Sequence, residues 1–206
     1  RVVAVGGDGT LNEVANGLAL SGTALAVVPS GTGNDWVRTV GIPRDVARAW
    51  RVATQGKVVE TDLAEVEGHG YCLNVLGAGF DAEVARRIAH SGRVLSALGP
   101  TPRYIASVLG TSASYRRSKL TVGMDWRPCI DIPDTLLLAV GVAQYYGSGM
   151  RVLPAAVIDD GLLDVVWGSG VRAHQLPGLL ARVFRGTHVS HKKVTLTRCR
   201  TITVES

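Results

Sequence analysis

Two short glycine-rich segments near the start of the chain combine the residue types that phosphate chemistry needs. The first, residues 6–12, reads Gly-Gly-Asp-Gly-Thr-Leu-Asn and directly follows an apolar run. Glycines let a polyanion approach the main chain, and N–H groups at the start of a helix can bind its oxygens. Asp8 is unfavourable in such a site unless a cation lies between it and the phosphates, and Mg²⁺ is the natural candidate. An ordinary glycine-rich turn is the simpler alternative.

The second segment, residues 29–35, reads Pro-Ser-Gly-Thr-Gly-Asn-Asp and also follows an apolar run. Asp35 is either a second acidic group near the metal or simply the N-cap of a short helix. The first segment matches neither of the commonest phosphate motifs, since no Gly-Lys-Ser/Thr follows it and its spacing differs from Gly-x-Gly-x-x-Gly. A Walker loop is therefore excluded.

The apolar pattern around both segments predicts a strand–helix–strand unit. Residues 2–5 read as a buried strand, helical spacing of apolar residues continues to about residue 20, and residues 24–28 read as the next strand. Such a connection is right-handed and its strands are parallel. Both glycine-rich turns then lie at the carboxyl ends of adjacent strands, where open α/β sheets bind ligands.

The chain changes character after two further short helices, at residues 35–38 and 45–53. Strand patterns then predominate, with helices between some of them. The predicted strands are 57–66, 71–76, 119–126, 135–143, 162–167, 193–197 and 201–204, and the predicted helices are about 80–89, 103–115 and 174–184. This order predicts a nucleotide-binding α/β domain over residues 1–60 and a second, mainly antiparallel β-sandwich domain over residues 61–206.

Composition narrows the class of protein further. The 206 residues are 46% hydrophobic, carry a formal net charge of +5 and include three scattered cysteines and five histidines. The cysteine spacing predicts reduced thiols and no zinc site. No apolar run reaches the ~18 residues that span a bilayer, which predicts a soluble, cytoplasmic protein. The positive charge favours an anionic partner such as a nucleotide or an acidic membrane surface, and the lack of a nucleic-acid motif argues against nucleic acid.

The two glycine-rich segments together resemble the catalytic domain of the diacylglycerol kinase and sphingosine kinase superfamily, particularly its soluble bacterial lipid kinases. The first segment is shared with NAD kinases and phosphofructokinases, and the second, ending in Asn34-Asp35, points to the lipid kinases. The resemblance implies an NAD kinase/phosphofructokinase-like parallel sheet, incomplete here, a β-sandwich domain and an active site between them. It also implies segments before Arg1 and after Ser206, so we expect the chain to be a fragment.

The resemblance further implies transfer of the γ-phosphate of MgATP to a lipid hydroxyl, most simply that of diacylglycerol. The lipid would be met by peripheral, transient contact with a membrane surface, and a homodimer is one option for the assembly. Asp8, Asp35 and Asp62 would form a network with water and the catalytic Mg²⁺, with a surface role as the alternative for Asp62. The main proton acceptor would lie beyond Ser206, with Asp8 as second choice. The residues expected to cradle the ATP phosphates are Gly7, Asp8, Gly9, Thr10, Leu11, Asn12, Glu13 and Thr32.

A further acidic segment, residues 157–164, reads Val-Ile-Asp-Asp-Gly-Leu-Leu-Asp. Asp-Gly between apolar runs predicts a tight turn, which a simple hairpin would explain. An oxygen-rich turn also suits a hard cation. By resemblance, this turn would hold a structural Mg²⁺ through the side chain of Asp160 and the main-chain carbonyls of Val157 and Leu162.

Three other regions carry weaker signals. Residues 77–82, Gly-Ala-Gly-Phe-Asp-Ala, resemble a family segment that lines the cleft, with a turn and N-cap as the alternative. Residues 144–150 read as a cleft loop without recognisable chemistry. A basic stretch is either a solvated helix face or a membrane-docking surface. Its residues are Arg86, Arg87, Arg93, Arg103, Arg116, Arg117 and Lys119.

Two alternatives to a lipid kinase follow from the same residues. An NAD kinase shares the first glycine-rich segment but requires an Asn-x-Gly-x-Leu-Gly-Phe type second turn, which residues 29–35 do not provide. A non-catalytic lipid- or nucleotide-binding module would lack the segments that complete the active site.

Overall fold

The computed structural model describes residues 1–80, 83–84, 107, 110–111 and 118–206. The helices predicted near residues 80–89 and 103–115 fall almost entirely outside the described residues, as do the last two residues of segment 77–82. The predicted basic stretch also falls outside them except for Lys119, which forms an ion pair with Asp131 at 2.6 Å. A membrane-docking role for that stretch therefore stays a prediction.

The chain begins with the strand–helix–strand unit that the sequence predicts. Strand β1 (Val2–Gly6) and strand β2 (Leu25–Pro29) pair in parallel, and helix α1 (Asp8–Leu18) connects them. The apolar face of α1 packs on the two strands. The register places Gly6 beside Pro29, so the two glycine-rich turns leave the sheet side by side.

Two more helices complete the first domain, α2 (Asp35–Val40) and α3 (Val46–Gln55). The helical spacing of Val46, Ala49, Trp50 and Ala53 predicts one apolar face of α3 that packs in the core. Val46 and Trp50 are instead 60% and 52% exposed, so their assignment to the core is wrong. The alanines of that face are buried beside β2. Their small size lets the helix lie close to the sheet, which leaves the bulkier residues at its sides.

The segment that links the domains is mostly irregular. A strand is expected over residues 57–66, but only Ala64–Val66 forms one, β3, which pairs antiparallel with β4 (Gly70–Cys72). Residues 57–61 are exposed. Asp62 donates its main-chain N–H to the carbonyl of Ile158, in a turn of the second domain. The predicted strand is therefore too long, because its first half does not pair with a neighbouring strand in the described part of the chain.

The second domain is built on a six-stranded antiparallel sheet. Its strands are β5 (Val75–Gly79), β6 (Ser118–Met124), β7 (Ile130–Gly141), β8 (Leu163–Ser169), β9 (Val194–Cys199) and β10 (Ile202–Glu205). The order is β10-β6-β7-β8-β9, and β5 pairs with β7. Because β9 and β10 lie at opposite ends of this order yet follow each other in the chain, the sheet curves round and encloses its core. The prediction of a mainly antiparallel second domain is confirmed.

Smaller features of this domain also follow from the sequence. The helix predicted near residues 174–184 is present as α4 (Leu176–Arg185). The strand predicted over residues 71–76 divides into β4, which pairs with β3, and β5, which pairs with β7 of the other sheet. No helix in the described part of the chain is both long and apolar enough to cross a bilayer.

The two domains share a hydrophobic core. Ala4, Leu11 and Trp36 of the first domain pack in one buried cluster with Leu73 and Ala143 of the second. The carboxyl ends of β1 and β2 therefore face the second domain, and the candidate site forms where the two domains meet.

Candidate active site

Asp8, the first residue of α1, joins the two glycine-rich turns. Its Oδ1 accepts hydrogen bonds from the main-chain N–H groups of Asp35, at 2.8 Å, and Trp36, at 3.0 Å. These groups open α2 and have no acceptor within that helix, and a carboxylate at a helix N-terminus is also favoured by the helix dipole. Asp8 therefore caps α2 from a different element, and its Oδ2 is left for other contacts.

The two turns touch through their main chains. A Cβ on Gly31 would lie 2.3 Å from the Cα of Gly7, and the Ser30 N–H donates to the Gly6 carbonyl at 3.0 Å. The second turn is closed by Asn34, whose carboxamide exchanges two hydrogen bonds with the main chain of Gly31. Glycine is required at this contact because any side chain would separate the turns.

Asp35 is buried, with 4% of its surface exposed, at the start of α2. Its Oδ2 accepts the Ser148 N–H at 2.8 Å, and its Oδ1 lies 3.5 Å from the Arg38 Nε. Burial raises the pKa of this carboxyl, the Ser148 N–H opposes that rise, and the neighbouring charge of Asp8 adds to it. The N-cap position of α2 is Asn34, so the interpretation of Asp35 as merely an N-cap is wrong.

Three oxygens surround the space beside Gly33. A Cβ on this residue would lie 3.0 Å from Asp8 Oδ2, 3.4 Å from Asp35 Oδ2 and 3.6 Å from Ser148 Oγ. The buried Asp35 Oδ1 has no hydrogen-bond partner among the described residues. Mg²⁺ is bound by one or two carboxylates and keeps several waters, so this donor set fits it. In the described ranges, no group of three or more acidic, His or Cys side chains could hold a metal on its own.

The start of α1 supplies main-chain donors for an anion. The first intrahelical hydrogen bond of α1 runs from the Leu11 N–H to the Gly7 carbonyl at 3.0 Å. The N–H groups of Asp8, Gly9 and Thr10 consequently have no acceptor within the helix. Space is open where a Cβ of Gly9 would lie, so a phosphate can approach this turn closely.

The other residues expected to cradle phosphate differ in their surroundings. Leu11 is a core residue, and Glu13 and Thr32 are exposed. The carboxamide of Asn12 accepts the Leu73 N–H at 2.9 Å and donates to the Tyr71 carbonyl at 3.3 Å. The Asn12 side chain thus fixes the main chain of residues 71–73, near the start of the second domain. Its role in binding phosphate stays a prediction.

Asp62 lies against the acidic turn of the second domain. Its Oδ2 accepts the Gly161 N–H at 2.7 Å, and its main chain is bound to Ile158. Among the described residues its carboxylate has no direct contact with Asp8 or Asp35, and the expected network through water and metal stays a prediction. The alternative, a surface role for Asp62, also stays a prediction.

Asp160, the predicted ligand of a structural Mg²⁺, already has protein partners. Its Oδ1 accepts the Leu162 N–H at 3.1 Å, and its Oδ2 lies 3.5 Å from Nη1 of Arg198. The same guanidinium pairs with Asp164, a fully buried carboxyl whose pKa is raised by burial and lowered by Arg198. The oxygen chemistry of the turn suits Mg²⁺, but Arg198 already places a positive charge there. Metal binding by Asp160 and the carbonyls of Val157 and Leu162 stays a prediction.

Ser148 contacts the site but is not among the site residues that the sequence predicts. This residue belongs to the loop of residues 144–150, in which Tyr146 and Met150 exchange main-chain hydrogen bonds at 3.0 Å. A second contact fixes the loop on α2, where the Thr39 Oγ1 accepts the Gln144 N–H at 3.1 Å. The pair of glycines around Ser148 signals a turn, but nothing local in the sequence reveals that its partner is a buried acid 113 positions earlier.

The architecture and the site together define a two-domain fold of the diacylglycerol kinase type. Residues 1–66 match the family model of the diacylglycerol kinase catalytic domain, and residues 74–206 match that of the YegS C-terminal NAD kinase beta sandwich-like domain. The chain therefore belongs to the diacylglycerol kinase catalytic-domain superfamily, with a second domain of the YegS type. The resemblance that the two glycine-rich segments indicate is confirmed.

Individual relatives agree with this assignment. A probable lipid kinase YegS-like from Pectobacterium atrosepticum is 32% identical over 192 residues, which covers 91% of this chain and 62% of the relative. A protein of the same description from Yersinia pestis is 31% identical over 189 residues, again covering 62% of the relative. A diacylglycerol kinase structure from Bacillus anthracis aligns over 98% of this chain and 65% of its own, with 26% identity and a TM-score of 0.71. The chain thus spans about 62% of the length of these curated relatives.

Proposed function

We propose that the whole protein transfers the γ-phosphate of MgATP to a lipid hydroxyl, with diacylglycerol or a related lipid as acceptor. The observation that carries this proposal is the pair of carboxylates, Asp8 and Asp35, held together at the start of α2 beside the unpaired N–H groups of α1. Phosphoryl transfer needs positioning and charge neutralisation more than covalent help, and these are what such a site can supply. The descriptions of the relatives support a lipid as the acceptor.

In this proposal the first turn binds the nucleotide phosphates. The N–H groups of Asp8, Gly9 and Thr10 point toward the anion, and the positive end of α1 adds to the attraction. Because Gly9 has no side chain, the phosphate can reach the main chain itself.

The acid pair would hold the catalytic Mg²⁺ through water. Asp8 Oδ2 and Asp35 Oδ2 face the same space beside Gly33, while the other Asp8 oxygen is committed to the cap of α2. A bound Mg²⁺ would neutralise the charge that spreads over the transferred group. We assign the main proton acceptor to an acid outside this pair, because in this proposal both carboxylates face the metal.

The lipid would be taken from a membrane surface by peripheral contact. The turn of Asp160, with Asp62 of the linking segment bound to it, would hold that segment against the second domain, with or without a structural Mg²⁺. Neither an NAD kinase nor a non-catalytic module is favoured by a feature of the described residues, and the experiment below separates both from a lipid kinase.

The test uses the full-length protein and labelled ATP, offered diacylglycerol in mixed micelles and NAD in parallel. We expect label in the lipid and none in NAD. The Asp8→Asn variant should lose at least about 100-fold in kcat/KM, because it weakens both the metal site and the cap that positions Asp35. Asp131→Asn, which removes an exposed carboxylate paired with Lys119, is the matched control and should keep full activity. Labelled NAD, or an Asp8→Asn variant as active as the parent, would overturn the proposal.

A further inference from the structure

Ser148 adopts a backbone conformation that its side chain disfavours. It lies between Gly147, with φ of 60°, and Gly149, with φ of 106°, and its own φ is 68°. Glycine adopts these angles freely, whereas a residue with a Cβ is strained by them. A third glycine would suit the backbone better, so it is the serine side chain that requires an explanation. Residues held in such strain cluster at functional sites.

The main-chain N–H and the side-chain hydroxyl of Ser148 both face the acid pair of the first domain, Asp8 and Asp35. Its main-chain N–H donates to Asp35 Oδ2 at 2.8 Å. Its Oγ lies 3.6 Å from the position that a Cβ of Gly33 would occupy, the same point that Asp8 Oδ2 and Asp35 Oδ2 approach to 3.0 and 3.4 Å. The hydroxyl is therefore a third oxygen facing this space, and it comes from the other domain.

The loop that carries Ser148 is fixed well enough to place a hydroxyl. The Gln144 N–H is bound to Thr39 of α2 at one end, and the Tyr146 and Met150 main chains close the other. The guanidinium of Arg38 packs on Gly149, since a Cβ there would lie 3.4 Å from the Arg38 Cζ. These contacts hold the loop against the helix that carries Asp35.

We propose that Ser148 is a further residue of the active site, whose hydroxyl faces the hydrated Mg²⁺ of the nucleotide as the third oxygen beside Asp8 and Asp35. The inference rests on the proposed function for its metal–nucleotide complex. Mg²⁺ in nucleotide sites keeps several waters, and a neutral hydroxyl can accept a hydrogen bond from one of them without adding negative charge. The second domain thereby takes part in binding the metal–nucleotide complex.

The test distinguishes the effect of the Ser148 hydroxyl from the effect of its strained backbone. In the full-length protein, Ser148→Ala removes the hydroxyl alone, and Ser148→Gly removes the hydroxyl together with the strain while keeping the N–H that binds Asp35. Leu20→Gly is the matched control, because Leu20 also has a positive φ, 61°, but is 92% exposed at the end of α1. The readouts are the affinity for Mn²⁺ in the presence of ADP, by electron paramagnetic resonance, the thermal midpoint, and kcat with KM for ATP.

We expect Ser148→Ala and Ser148→Gly each to weaken Mn²⁺·ADP binding by up to about tenfold, the upper end of the loss expected for one hydrogen bond to a neutral group. The thermal midpoint should nevertheless rise in Ser148→Gly, as it should in Leu20→Gly, since both substitutions relieve backbone strain. A purely structural role predicts unchanged Mn²⁺·ADP affinity in both Ser148 variants, and that result would overturn the inference. Parent protein that binds no Mn²⁺·ADP would overturn it as well. If the variants weaken metal–nucleotide binding but the parent phosphorylates no lipid, the inference holds and the lipid kinase proposal fails.

Discussion

Replacement of Gly31 by alanine tests the main-chain contact that brings the two glycine-rich turns together. The added Cβ would lie 2.3 Å from the Cα and 3.1 Å from the N of Gly7. An ordinary carbon–carbon contact is about 3.5–4.0 Å, so the turns must separate by more than about 1 Å. Because the overlap is with main-chain atoms, no side-chain rotation can relieve it.

That separation breaks the link between Asp8 and α2. The hydrogen bonds from Asp35 and Trp36 to Asp8 Oδ1, now 2.8 and 3.0 Å long, would stretch beyond useful range. Overpacking costs about 1–3 kcal/mol, and weakened hydrogen bonds to a charged group cost about 1.5–3 kcal/mol. We expect the free energy of unfolding to fall by about 3 kcal/mol, with partial relaxation offsetting the rest. Affinity for MgADP should fall about 100-fold, since the phosphate donors and the acid pair no longer align.

The assay is urea unfolding together with calorimetric titration by MgADP. Gly17→Ala is the matched control, because Gly17 is an exposed residue of α1 with nothing within 4 Å of its Cβ position. Alanine there should stabilise the protein by up to about 1 kcal/mol through helix propensity, with nucleotide affinity unchanged. A Gly31→Ala protein that loses less than about 0.5 kcal/mol of stability, and binds MgADP as the parent does, would refute the reasoning.

Two further substitutions test the packing around the site. The Asn16 carboxamide exchanges hydrogen bonds of 2.7 Å with the main chain of Tyr71. Asn16→Leu leaves the Tyr71 N–H unpaired and its carbonyl with the Asn12 carboxamide alone, so it should cost about 1–3 kcal/mol in urea unfolding; an unchanged midpoint would contradict this. Burial lowers the pKa of His188 below 6.5, while its ring hydrogen-bonds the Val152 carbonyl at 3.0 Å. A lowered pKa in the fold means that His188 contributes stability above pH 6.5 that is lost as the pH falls through the folded value. The thermal midpoint should therefore drop more steeply from pH 7 to pH 5 in the parent than in His188→Gln, and parallel curves would exclude this role.

Local sequence patterns account for the fold of the first domain and for the strand content of the second. The two strands, the turns between strand and helix, and the Asp45 cap of α3 are set by residues close together in the chain. The prediction of parallel β1 and β2 followed from the strand–helix–strand pattern, and it is confirmed. The strand predicted over residues 57–63 is absent because alternation of residue types does not indicate whether a partner strand exists.

The partners of the site residues could not be predicted in the same way. Asp8 shows how this arises: its glycine-rich context indicates a phosphate turn, but its role in capping α2 depends on how two turns 27 residues apart approach each other. The same holds for Asn12, whose side chain contacts residues 59 and 61 positions away. Side-chain partners at such separations are decided by tertiary packing, which residue types and spacing do not encode locally.

Five hydrogen bonds between the first 62 residues and the second domain follow one chemical pattern. Side-chain oxygens in the first 62 residues accept main-chain N–H groups of the second domain, and a substitution at the donor residue, proline apart, leaves such a group in place. These hydrogen bonds therefore depend on the acceptor side chains of the first domain, whereas the apolar contacts of Leu73 and Ala143 with the first domain depend on side chains of both domains. Ser148 is the exception, because there the side chain itself also faces the site. The acceptor–donor pairs are Asn12–Leu73, Asn16–Tyr71, Asp35–Ser148, Thr39–Gln144 and Asp62–Gly161.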